Sequence, residues 1–173
     1  MGAICGIIDF NEKASDFDAI KRMWCAMAPF SRAYTYINKG ISLCCDRLQG
    51  AYCSLSTLSS QKKAENCTLM LDSYPPFPLY TKEILERYLI DGAEVICELK
   101  QKFSFALFDE SNRFLMLSSA RTPFFCSRCD DKIIFSTDKK AIGAYFDGSF
   151  NIPVQPVKLK PEGLALFCDI KQN

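Results

Sequence analysis

Hydrophobic residues fall into two patterns along this chain: short continuous runs and helically spaced sets. The first run, Ile4 to Phe10, carries no polar side chain before Asp9 and breaks at Asn11-Glu12. A run built of Ile, Cys and Gly predicts a strand covered on both faces, central in its sheet, with Cys5 near one end. Phe17, Ile20, Trp24 and Met27 then recur at helical spacing. They predict a helix that begins at Ser15, with Asp18 as the acidic half of a capping-box-like start, and that closes at Pro29. Tyr34 to Ile37 and Ile41 to Cys45 flank Lys39-Gly40, the pattern of a hairpin. Ala51 to Leu58 and Cys67 to Leu71 read as strands on either side of the polar run Ser59 to Glu65.

Pro75, Pro76 and Pro78 exclude a central strand or a helix interior at that point. Thr81 is placed to cap a helix whose apolar face is Ile84, Leu85, Tyr88 and Leu89 and which stops at Asp91-Gly92. A shorter helix over Ala93 to Leu99 follows. Hairpins are expected for Phe103–Phe108 with Arg113–Leu117, and for Phe124-Phe125 with Lys132–Ser136. Lys139 to Tyr145 reads as a short helix, and two strands are expected around Pro161-Glu162-Gly163. Strands in runs, with helices grouped among them, indicate an α+β chain rather than βαβ units. With no repeat, linker or low-complexity segment, residues 1–173 read as one domain.

Composition narrows the functional classes. Apolar residues make up 49% of the chain, enough for a substantial core, and the net charge is +1 with both signs interspersed. Such a distribution offers no basic stripe for nucleic acid or an anionic membrane. The apolar stretch Ala3 to Ile8 is too short to span a bilayer and lacks the basic flank of a signal peptide, so a cytoplasmic protein is expected. Its ten cysteines would then be reduced and would behave mostly as small buried hydrophobes. The chain has no His, which removes the usual base for a Cys or Ser nucleophile and the commonest metal ligand. Cys126-Ser127-Arg128-Cys129 has no second pair to complete a zinc site, so no metal and no cofactor is expected.

Several segments, in order, resemble the class II glutamine amidotransferase domain found at the N-terminus of asparagine synthetases. They are Ile4-Cys5-Gly6-Ile7-Ile8, Asp46-Arg47-Leu48, Leu99 to Glu110, Ile134 to Ala141, and Lys160-Pro161-Glu162-Gly163. The resemblance implies a four-layer αββα sandwich of two antiparallel sheets, the N-terminal-nucleophile hydrolase type. It also implies a Cys nucleophile whose own α-amine is the base, an Asn and a Gly N–H for the oxyanion, an Arg for the substrate carboxylate and an acidic group for its ammonium.

Measured against that pattern, the pocket is eroded. Cys5 is the candidate nucleophile, yet it follows Met1-Gly2-Ala3-Ile4, and loss of Met1 leaves Gly2 at the terminus. An acylated nitrogen is no base, so chemistry would require processing that exposes Cys5. The oxyanion segment aligns with Asp72-Ser73, a carboxylate in place of a donor, and the ammonium anchor aligns near Tyr80. Arg47 alone keeps its type. The expectation is a degenerate, non-catalytic module serving a separate synthetase-type partner in trans, since the chain carries no Ser-Gly-Gly-x-Asp pyrophosphate loop. The alternative is a glutaminase, binding glutamine and releasing ammonia after processing.

Overall fold

A computed structural model describes residues 3–11, 16–27, 32–46, 50–58, 64–72, 78–92, 95, 104–120, 122–146, 157–159 and 163–168. Eleven strands lie in it: β1 Ile4–Asp9, β2 Ala33–Asn38, β3 Ile41–Asp46, β4 Gly50–Leu58, β5 Ala64–Asp72, β6 Ser104–Asp109, β7 Phe114–Ser119, β8 Phe125–Cys129, β9 Lys132–Ser136, β10 Val157–Lys158 and β11 Gly163–Cys168. Three helices accompany them: α1 Phe17–Met27, α2 Pro78–Asp91 and α3 Lys139–Tyr145.

The strands form two sheets, ordered β10-β8-β9-β1-β3-β2 and β11-β7-β6-β5-β4, and every pairing is antiparallel. Alternation along β1 shows how the layers stack. Ile4 and Ile8 point into a core shared with Met70, Ala106, Phe108, Leu115 and Leu117 of the second sheet. Cys5 and Ile7 point the other way, against Ala19, Ile20, Met23 and Trp24 of α1 and Ala141 and Ile142 of α3. On the far side, Ile84, Leu85 and Tyr88 of α2 cover Cys67, Leu69, Leu71, Phe105 and Leu107. Among the described residues this is an α+β arrangement with two antiparallel sheets and three helices, and its packing order suits a sandwich.

The run around Cys5 is, as expected, a buried strand with a neighbour on each side. The three expected hairpins form, and the two strands expected around the polar run pair as β4 and β5, with β5 starting three residues further back than Cys67. Two helix starts differ. The first helix starts at Phe17, and Asp16 caps it: its Oδ1 accepts from Ala19 N at 2.8 Å. Ser15 lies outside the described residues. Thr81 does not cap α2, which starts at Pro78, so Thr81 sits inside the helix and is fully buried. Proline suits a first helical turn, where its missing N–H would have no partner in any case. The expected helix over Ala93 to Leu99 lies, apart from Val95, outside the described residues. The two tail strands do not pair together: β10 joins β8, and β11 joins β7 in the other sheet.

The chain passes from the second sheet back to the first between β7 and β8, and a buried clamp holds that crossing. Ser104 Oγ donates to Thr122 O at 3.0 Å and accepts from Thr122 N at 2.9 Å and Ala120 N at 3.1 Å. Ser119 Oγ donates to the same carbonyl at 3.0 Å.

Candidate functional site

Cys5 is the second residue of β1 and is fully buried. Ala3 and Ile4, directly before it, are hydrogen-bonded to neighbouring segments. Asp46 N donates to Ala3 O at 2.8 Å, Ile4 N donates to Thr137 Oγ1 at 3.1 Å, and Thr137 N donates to Ile4 O at 2.9 Å. Together with Asp9 N to Gly40 O at 2.8 Å, the Ala3 contact sets the phase of the β1–β3 ladder. Residues 3, 5, 7 and 9 are the ones whose backbone faces β3, so the Cys5 nitrogen is an amide engaged with Cys44. It has neither the free electron pair nor the mobility of an α-amine.

The thiol is equally unprepared. Burial pushes Cys5 well above its ordinary value of 9.0, and its hydrogen bond to Cys44, directly across the ladder, adds to the effect. Cys44 accepts from Cys5 and lies 3.5 Å from Thr35 Oγ1, so it is the more readily ionised of the pair. A thiolate, not a thiol, is the nucleophile. Cys5 is therefore a neutral side chain packed under α1 and α3.

The other candidate positions are spread through different layers. Asp72 ends β5 in the second sheet, opposite Gly50 and Ser104, while Cys5 turns its side chain away from that sheet. Tyr80 lies in the first turn of α2, the helix that covers the outer side of the second sheet. Arg47 and Ser73 lie outside the described residues. Cys126 and Cys129 stand three apart on β8 and so face opposite ways. Cys126 points into the core between the sheets, and Cys129 packs on the helix side. Among the described residues no three Cys, Asp or Glu side chains gather as metal ligands.

Among the described residues a buried polar cluster beside a cavity lies elsewhere. Buried Asp109, at the end of β6, accepts from Tyr88 Oη at 3.0 Å and Asn112 Nδ2 at 2.9 Å through Oδ2, and from Asn112 N at 2.8 Å through Oδ1. Burial, reinforced by the Asp109 charge, drives Tyr88 far above its ordinary value and keeps it a donor. A cavity of about 210 Å³ opens beside them, lined also by Leu89, Gly92 and Ser111. The Phe108-Asp109 pair was visible in the sequence, but its partner on α2 was not, because 21 residues separate Tyr88 from Asp109. A second gap of about 20 Å³, between Asp9, Glu110 and Arg113, has room for one water. Neither space is lined by Cys5. Compared with known protein families and with curated proteins, the chain matches none of them.

Proposed function

We propose that this chain is a degenerate glutamine amidotransferase-like module that hydrolyses no glutamine and works by contact, as a structural or regulatory subunit of an asparagine-synthetase-like partner. The N-terminal-nucleophile type of sandwich is part of this reading, motivated by the collinear segments around Cys5, Phe108-Asp109 and Ile134 to Ala141. One observation carries the loss of catalysis: Ala3 and Ile4, directly ahead of Cys5, are hydrogen-bonded into the sheet, and Ile4 is fully buried. Cleaving before Cys5 would remove those bonds and a core side chain together. Three deficits then coincide: the absent α-amine, Asp72 where a donor is required, and Tyr80 near the ammonium anchor. Loss of one oxyanion donor alone costs about 3–4 kcal/mol, a factor of a hundred or more in rate.

The test compares the full chain with a form trimmed to begin at Cys5, assaying glutamate release from glutamine beside a folding check by circular dichroism. Silence in both is expected, with the trimmed form less stable. Turnover in the trimmed form that disappears on Cys5→Ala would overturn the proposal in favour of a processed glutaminase.

A further inference from the structure

We propose that β2 is a self-pairing edge, along which two copies of this chain join antiparallel into one continuous sheet. Among the described residues β2 has a strand on one side only, β3. The ladder phase says which backbone groups are left over. Even-numbered residues of β3 face β1, so Ile41, Leu43 and Cys45 face β2 and engage Asn38, Tyr36 and Tyr34. The N–H and C=O groups of Ala33, Thr35 and Ile37 therefore point away from β3, along the edge where no described strand lies.

Edge strands of this kind are normally blunted by charge, proline, a bulge or shortness. The opposite edge of the same sheet follows that rule: β10 is two residues long and carries exposed Lys158. β2 does not. Its six residues, Ala-Tyr-Thr-Tyr-Ile-Asn, hold no charge, Pro or Gly, pair with β3 in unbroken register, and leave Ile37 41% exposed.

The occupant follows from the self-complementarity of that strand. A two-fold axis normal to the sheet brings outward residues against outward residues, and an axis through Thr35 pairs the most of them. Thr35 then meets Thr35 of the second copy, and Ile37 meets its Ala33, on the face where Thr35 and Ile37 are exposed. Tyr34 meets Tyr36 twice on the face that packs toward the second sheet. Thr–Thr and aromatic–aromatic pairs are among the favourable cross-strand combinations. Exposed Arg32, just ahead of the strand, comes near exposed Lys39 of the second copy, so the pairing tightens as salt screens these like charges.

Sedimentation of the full chain from about 1 to 100 µM tests this, beside Thr35→Pro and Ile37→Lys. Thr35→Pro removes an N–H that the β2–β3 ladder does not use; Ile37→Lys adds charge at an already exposed position, so its fold is secure. The wild type is expected to dimerise, more tightly at higher salt, and each variant to weaken the dimer at least about tenfold with an unchanged circular dichroism spectrum. A wild type that stays monomeric at the highest concentration overturns the proposal, as does an Ile37→Lys form that dimerises as tightly as wild type.

Discussion

Gly6 lies between Cys5 and Ile7 on the side of β1 that faces the other sheet, and the space a side chain would need is taken. A Cβ there would lie 2.4 Å from Phe135 Cζ and 2.6 Å from Leu43 Cδ2. Both neighbours are fully buried, so neither can swing into solvent. Gly6→Ala is expected to lower stability by about 1–3 kcal/mol, the usual cost of overpacking a core, read as a fall in the urea midpoint. An unchanged midpoint would show that the Phe135 ring has room to turn. The glycine was visible in the sequence as part of a Cys-Gly-Ile opening, but its reason was not, since Phe135 is 129 positions away along the chain and becomes a neighbour only when β9 pairs with β1. Cys5 is a similar case. The apolar run announced a buried strand, whereas the side it faces, toward the helices and Cys44, depends on which layers cover each surface.

Among the elements, α3 shows how local signals and packing combine. Seven residues are too few to hold a helix alone in water, where about 12–15 are needed. Asp138 caps it in an extended conformation, with φ −128° and ψ 126°, its Oδ1 accepting from Lys140 N at 2.9 Å. The Asp138 N–H is in turn held by Ser136 Oγ at 3.0 Å. Asp138→Ala is expected to cost about 1 kcal/mol, while Asp138→Asn, which keeps an acceptor, costs less. Thermal unfolding of the two variants distinguishes them; equal losses would mean that charge, not capping, is what Asp138 supplies. The bounds of α3 and the β2–β3 turn at Lys39-Gly40, with φ of 22° and 80°, were both legible because turn and cap chemistry is local. The starts of α1 and α2 were misplaced for a related reason: two adjacent polar residues can each cap, and only backbone direction chooses Asp16, while Thr81 looks like a cap until Pro78 is seen to begin the helix.

For the molecule as a whole, buried thiols make stability sensitive to alkali. Cys45 and Cys126 are both raised above their ordinary value of 9.0 by burial. Their folded forms hold protons that the unfolded chain releases from about pH 9, so stability is complete below that pH and declines as pH rises toward the folded values. For Cys45 the slope is at most about 1.4 kcal/mol per pH unit, and Tyr88, also raised, adds to the decline above about pH 10. Urea midpoints should hold between pH 8 and about 9 and then fall to pH 10.5, and Cys45→Ala should flatten that fall whatever it does to absolute stability. An identical slope in the variant would rule out Cys45 as a source.

Period, turn chemistry and composition are short-range properties, and they were enough to mark the strands, the hairpins, the α+β class and the absence of any histidine-based chemistry. The division of strands between two sheets was beyond them. β10 and β11 stand four residues apart yet join opposite sheets, because hydrogen-bonding partners are chosen by layers that close only when the whole chain packs. The same is true of the candidate site. Cys5 could be named as a nucleophile from its neighbours in sequence, but whether its nitrogen is free, whether its thiol is wet and whether Asp72 lies on its side of the sheet are questions of burial and register. Those depend on residues such as Cys44, Thr137 and Asp46, which reach β1 from distant parts of the chain and leave Cys5 sealed in the sheet.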